Sequence, residues 1–532
     1  MQAAGIHQTE LILIFLLLMT AGLATLARRF HTPYPLVLVV GGLLLSLVPR
    51  LPRIHLNPDI VFLILLPPLL FSAALNTSWR DFRYNLVSIL MLAFGLVGFT
   101  VIGVSLATNW LLPGFDRRLG LVLGAVVSTT DAIAATAIAR RIGLPRAITD
   151  ILEGESLVND ASGLLALEFA VALVVTGDKP TFSEGAFRLI YLVAGGIAIG
   201  LITGWFIRLV QRRIIDAPIE ISLTLAAPYL SYLGGESIHA SGVLATIACG
   251  LYLGRNRSDI LSTEARLDSS AVWNTLDFVL NGTVFILIGL QLPYILASIR
   301  GMSRMQIIWD GAAFSALVIG LRLLWIYPGA WIAHQIRLRL LHQQHHALNP
   351  RATFIIGWTG MRGVLALAAA ISLPEYLSDG TLFPHRNEIL FLTFCVIFVT
   401  LVLQGLSLPP LIRKLGLAGT EHGNVEERDA RRRMIQAALN YLEKQKDKGD
   451  TWVTQDLAEH YQQRLALLDA KSGDPHQPAL DDYRSYRTLA QKLRMVERSA
   501  ILDLHSNNII NDEVLRTLER ELDLLDARFL DA

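Results

Sequence analysis

The sequence predicts an all-α polytopic membrane protein. It would have thirteen transmembrane helices in inverted repeats, two of them discontinuous and crossed, followed by a helical cytoplasmic C-terminal domain. Three observations carry that expectation. Hydrophobic residues make up 53% of the 532 positions and charged residues only 17%, with mean hydropathy +0.47, where soluble domains carry roughly 25% charged residues. The charge is uneven, with 41 of the 91 Asp, Glu, Lys and Arg side chains falling in residues 413–532. Two apolar runs also carry matching interruptions of glycine, hydroxyl and charge. This composition argues against a disordered chain and a soluble enzyme, and the net charge of +1 gives no reason to expect a nucleic-acid partner.

A bilayer core about 30 Å thick needs about 20 apolar residues per helix. The first apolar run covers residues 10–27. No Lys or Arg precedes Arg28, so the cationic start of a cleaved leader is missing, and the run reads as a retained helix with its N-terminus outside. Twelve runs follow, at 34–48, 58–76, 84–112, 119–140, 148–176, 187–211, 218–236, 240–254, 270–293, 306–333, 352–373 and 388–412. Thirteen spans put the two termini on opposite sides. On that topology sixteen arginines fall in inside loops and nine basic residues in outside loops, among them Arg50, Arg53 and Lys179. The bias places the tail in the cytoplasm. The boundary between membrane domain and tail falls at 415/416. Cys249 and Cys395 lie inside apolar runs and suggest neither a disulfide nor a metal site.

Charges at mid-bilayer are costly and mark pathways or pairs. The set here is short: Asp131 in span 5, Glu155 and Asp160 in span 6, Arg322 in span 11 and Arg362 in span 12. Glu153, Glu168, Glu236, Asp277 and Asp310 read as loop or interface groups. Span 5 runs Ser128-Thr129-Thr130-Asp131 and span 12 runs Gly357-Trp358-Thr359-Gly360-Met361-Arg362-Gly363. Ser, Thr and Gly weaken a helix at those depths, which predicts a discontinuous helix in each. The two spans are seven apart, so spans 1–6 and 8–13 would run in opposite directions around span 7. That is the plan on which secondary transporters place an ion site at the midplane. Asp131 would offset the positive helix N-termini at the breaks, and Arg362 the negative C-termini.

Span 6 contains Glu155-Ser156-Leu157-Val158-Asn159-Asp160. Glu155 and Asn159 are four apart, as are Ser156 and Asp160, so the four cover one side of a helix. The Asp160 carboxylate, the Ser156 hydroxyl and freed carbonyls near Thr130-Asp131 would suit a monovalent hard cation. One carboxylate can be neutralised by a proton or by a cation, not both, and that competition suffices for exchange. Glu155 needs a cationic partner if it is charged, Arg322 first and Arg362 as the alternative.

These segments, with Gly360-Met361-Arg362-Gly363-Val364, resemble the sodium/proton exchangers of the cation:proton antiporter-1 family, bacterial members with a long tail above all. The likeness spans about residues 10–415. It implies thirteen helices divided into a dimerisation domain and a mobile core, an elevator-like movement, a homodimer in the bacterial inner membrane, and a role in pH homeostasis. It implies ion ligation around Asp160 with Ser156 and the Thr130-Asp131 break. Asn159, where electrogenic relatives place a second Asp, implies electroneutral exchange. One departure stands out: after Pro67-Pro68-Leu69-Leu70-Phe71 many relatives carry Glu, and this chain has Ser72.

The function expected is therefore sodium/proton antiport, with lithium or potassium as further cations, no enzymatic activity and no cofactor beyond the transported ions. A potassium-selective antiporter is the alternative, and a cation channel is a remote one. Asp131 and Asp160 as a protease pair would leave Asn159 and Arg362 without a role. In the tail, Leu439, Leu442, Leu465, Leu467, Leu468, Leu515, Leu518, Leu522 and Leu525 recur at near-helical spacing, with a break predicted over Lys471–Pro478. A regulatory ligand or protein is a further expectation for the tail. His342, His345 and His346 read as a solvated loop.

Overall fold

The computed structural model describes residues 2–48 except 31, 58–175 except 113, 182–299, 304–342 and 349–418 except 378 and 379. In the tail it describes 422–445, 451–470 and 478–507 with isolated positions beyond. Arg50, Arg53, Lys179, His345, His346, Leu525 and most of the expected 471–478 break lie outside the described residues. The chain folds as two units, Met1–Thr420 and Glu421–Ala532.

The first unit is helical. It contains α1 (Gln2–Arg29), α2 (Tyr34–Ser46), α3 (Leu66–Asn76), α4 (Trp79–Leu90), α5 (Val97–Leu111), α6 (Arg117–Ser128), α7 (Ala132–Ile142) and α8 (Arg146–Val175). It continues with α9 (Phe182–Gln211), α10 (Ala217–Ser237), α11 (Gly242–Arg255), the single turn α12 (Arg257–Ile260), α13 (Thr263–Leu290), α14 (Leu292–Ser298) and α15 (Arg304–Arg339). It ends with α16 (Pro350–Trp358), α17 (Val364–Ile371), α18 (Arg386–Val399) and α19 (Gly405–Lys414). Start signals follow the sequence: Ser78, Asp116, Asp216, Ser241, Ser262 and Asn349 each accept a backbone N–H of the helix they open.

Among the described residues seven helical segments are long and apolar enough to cross a bilayer: Trp79–Leu111, Arg117–Ala139, Arg146–Val175, Ser183–Gln211, Thr263–Ala297, Met305–Arg339 and Arg386–Lys414. Tyr34–Ser46, Ile60–Asn76 and Gly242–Arg255 are shorter apolar helices. The α11 helix is short and almost wholly buried, with Gly250 and Gly254 set against the backbone of Phe71 and Leu75 in α3. Protein rather than lipid therefore covers it.

Three apolar stretches are wound as π-helix: Ile60–Leu65, Met91–Leu96 and Thr400–Gln404. Such turns loosen the regular ladder and leave carbonyls for other donors. Ser162 donates to the Ala93 carbonyl at 2.5 Å, and Trp325 donates to Met91 O at 3.3 Å. One large apolar core joins α6, α7, α8, α17 and α18, through Leu123, Ile138, Ile148, Leu367 and Ile397. It holds the two interrupted stretches in place.

The second unit consists of α20 (His422–Gln445), α21 (Thr451–Ala470) and α22 (Pro478–Ser506). These helices are polar, and Met434, Tyr441, Trp452 and Leu489 are exposed.

Candidate functional site: two helix interruptions beside a buried carboxylate

The first interruption lies between α6 and α7. The Ser128 hydroxyl turns back onto the Ala125 carbonyl at 2.7 Å, and Thr129 leaves the helix in an extended conformation. Asp131 opens α7: its Oδ1 accepts the Ile133 N–H at 2.7 Å. The second interruption lies between α16 and α17. There the Thr359 hydroxyl bonds Ile355 O at 2.9 Å, and helix resumes only at Val364. The two stretches touch: the Asp131 N–H donates to Met361 O at 2.8 Å. The approach requires a residue with no Cβ at position 363, because a Cβ there would lie 2.6 Å from Asp131 Cβ.

Four exposed helix ends in an apolar core need partners. Two arginines satisfy the C-terminal carbonyls. Arg362 Nε donates to Val127 O at the end of α6 at 2.8 Å, and its Nη1 donates to Gly360 O at 2.5 Å. Arg322 Nε donates to Gly357 O and its Nη2 to Ile356 O at the end of α16, both at 3.0 Å. The Arg362 N–H is taken by Thr400 Oγ1 at 3.1 Å, where α18 gives way to its π-helical turn. Each arginine thus caps one broken helix.

Arg322 also grips Glu155 with both terminal nitrogens, at 2.5 and 2.9 Å. Glu155 and Arg322 are each 1% exposed. Arg322, and not Arg362, is therefore the partner of Glu155. Thr130 donates to Glu155 Oε1 at 3.1 Å and accepts from Asn159 Nδ2 at 2.5 Å. Its hydroxyl proton and one lone pair are thereby taken. Asn159 Oδ1 is buried without a hydrogen bond.

Asp160 differs from its neighbours. It sits on α8 and is 9% exposed. Among the described residues its carboxylate has no hydrogen-bond or ion-pair partner. Asp131 lies close enough for the two charges to interact. One helical turn before Asp160, Ser156 Oγ accepts the Ala132 N–H at 3.3 Å, so its hydroxyl proton is free to turn away and its second lone pair is unused. The arrangement leaves one uncommitted carboxylate, one hydroxyl oxygen and the carbonyls of a broken helix beside each other. No group of three or more His, Cys, Asp or Glu arranged for a multivalent metal occurs among the described residues.

Of the five acids read as loop or interface groups, Glu168 pairs with Arg188 at 2.8 Å on an exposed face and Glu236 accepts the Gly242 N–H at 3.3 Å. Asp277 departs from that reading. It lies within α13, and its Oδ2 accepts the Ser72 hydroxyl at 2.5 Å while Oδ1 is buried and unpaired. The spacing Asn274, Asp277, Asn281 was the available signal, since it forms a polar stripe along one face of an otherwise apolar span.

The family model "Sodium/hydrogen exchanger, transmembrane" matches residues 13–414. A Na(+)/H(+) exchanger of Mycobacterium tuberculosis is 34% identical over 522 residues, covering 95% of this chain and 93% of that protein. A sodium, potassium, lithium and rubidium/H(+) antiporter of Bacillus subtilis is 30% identical over 538 residues, covering 98% and 78%. The sodium proton antiporter MjNhaP1 of Methanocaldococcus jannaschii shares the fold, with a TM-score of 0.60 at 18% identity over 78% of this chain and 98% of that one. The chain is a multi-pass membrane protein of the sodium/proton exchanger family, of the bacterial cation:proton antiporter-1 kind.

Proposed function

We propose that this protein exchanges sodium for protons across the bacterial inner membrane by letting cation and proton compete for Asp160. The observation that carries the reading is the isolation of that carboxylate. Glu155 is matched by Arg322, Asp131 is engaged as a helix cap, Asn159 is neutral, and Asp160 alone among these is without a partner. A cation there would take oxygens from Asp160, Ser156 and the Thr130 and Asp131 carbonyls. A proton would take Asp160 alone.

One carboxylate that carries one monovalent cation outward and one proton inward moves no net charge, so the exchange is electroneutral. The two interrupted helices cross near the midplane of a thirteen-span bundle built from inverted repeats. With its polar ends already satisfied, the crossing can move as a rigid body, and alternating access is elevator-like. Residues 1–415 carry exchange in a homodimer, with the N-terminus outside, and residues 416–532 form a cytoplasmic helical tail with a regulatory role. The naming of the Bacillus subtilis relative supports a second reading for selectivity, in which potassium, lithium and rubidium are also carried.

Reconstitution into proteoliposomes with a pH-sensitive dye tests the proposal. An imposed sodium gradient should drive proton flux of the opposite direction, and a protein without such flux overturns it. Substituting lithium, potassium or rubidium distinguishes the narrow from the broad cation range.

A further inference from the structure

Beyond the interrupted helices lies a cavity of about 340 Å³ whose wall includes Arg28, Tyr34, Ala137, Asn274, Asp277 and Asn281. Ala137 belongs to α7, the half-helix that follows the first interruption. Tyr34 opens α2 and lies within electrostatic range of both Asp131 and Asp277. Asn274, Asp277 and Asn281 are spaced three and four apart on α13 and so share a face. The cavity thus lies among the end of α1, the start of α2 and α13, with Ala137 of α7 at its wall.

Asp277 is an unusual group to find there. Its Oδ2 is fixed by the Ser72 hydroxyl at 2.5 Å, and its Oδ1 is buried with no hydrogen bond. No salt bridge to Asp277 occurs among the described residues. A carboxylate with an unsatisfied buried oxygen is costly in a protein interior. It is tolerated where it meets a transient cation and water. The amide oxygens of Asn274 and Asn281 supply neutral oxygen ligands of the type that hard cations take. Arg28, at the end of α1, is the one cation among the wall residues named here.

We infer that Asp277 is a second cation-binding carboxylate, a loading station in this cavity that takes the monovalent cation before it reaches Asp160. Together with the amide oxygens of Asn274 and Asn281 it holds a partly hydrated ion, and Ser72 keeps the carboxylate turned toward the cavity. The inference rests on the antiport reading for its place in the cycle, but the binding itself does not.

Two readouts test it on the full-length protein: the sodium concentration that half-saturates exchange in proteoliposomes, and the sodium concentration that half-maximally raises the melting temperature in detergent, with choline at matched ionic strength. Asp277→Asn should raise both by about tenfold or more while the maximal exchange rate stays within about twofold, the pattern of lost ground-state binding. Asp277→Glu and Ser72→Ala should each shift them by less than about threefold. An unchanged half-saturation in Asp277→Asn overturns the inference. So does a fall in maximal rate alone, or a Ser72→Ala shift as large as that of Asp277→Asn, since these mark a tether between α3 and α13. If Asp277→Asn does not fold, the paired change Ser72→Asp with Asp277→Ser moves the carboxylate across the same hydrogen bond; retained sodium affinity supports the inference and loss overturns it. Sodium stabilisation that depends on Asp277 in a protein that moves no protons would sink the antiport reading and leave this site standing.

Discussion

Glu155 illustrates how the site separates structural charge from working charge. It lies one residue before Ser156 on the same helix as Asp160, yet both its oxygens are held, by Arg322 and Thr130. Removing one partner of a buried ion pair strands the other, at a cost of about 3–5 kcal/mol. Glu155→Gln should therefore lower the melting temperature in detergent and the yield of folded protein, while the fraction that folds keeps the wild-type order of cation preference. Altered preference with unchanged melting would assign Glu155 to ion ligation instead. Arg322→Lys should be nearly as damaging, because a single ammonium cannot reach Glu155 and the Gly357 and Ile356 carbonyls at once. Thermal melting checks it against Glu155→Gln.

At the scale of the element, the interruptions hold because each broken end has an assigned partner. Gly363 lets Asp131 lie directly against the second break. Gly363→Ala should push the two stretches apart at a cost of about 1–3 kcal/mol and reduce exchange at wild-type expression. Melting and dye dequenching on the same preparation check this, and a fully active alanine variant would show that the close approach is dispensable. The breaks were legible in the sequence because Ser, Thr, Gly and a lone charge are conspicuous in an apolar run. The π-helical turns were not, since Ile60–Leu65, Met91–Leu96 and Thr400–Gln404 are ordinary apolar strings whose winding is set by what packs on them. The partner of Glu155 was legible only as a preference for Arg322 over Arg362, because the pairing depends on contacts 167 positions apart in the chain. The second task of Arg322, capping α16, was hidden for the same reason. Asp277 was set aside as an interface group because nothing in the sequence links it to Ser72, 205 positions away.

For the whole molecule, the charge balance has a direct consequence. If Asp160 carries the cargo alone and Asn159 stays neutral, exchange driven by a sodium gradient should keep its rate when a potassium–valinomycin potential of either sign is imposed. A steep voltage dependence would require a second titrating group in the transport step. The two units of the chain lead to a different expectation. Since the interruptions, their arginines and Asp160 all lie within Met1–Thr420, a protein ending at Thr420 should retain exchange, with any change confined to its pH profile. Complete loss of transport in a correctly inserted truncation would make the tail part of the transport unit.

Competition at Asp160 is tested most directly by counting protons. Purified protein in lightly buffered detergent solution is titrated with sodium by calorimetry in two buffers of different ionisation heat, at a pH low enough for the site to be protonated. One carboxylate shared between two mutually exclusive ions predicts close to one proton released per sodium bound and a sodium affinity that falls about tenfold per pH unit in that range. It also predicts a smaller release from Asp160→Asn, and none from the double variant Asp160→Asn with Asp277→Asn. Sodium binding that liberates no protons, or the same release from Asp160→Asn, would contradict it.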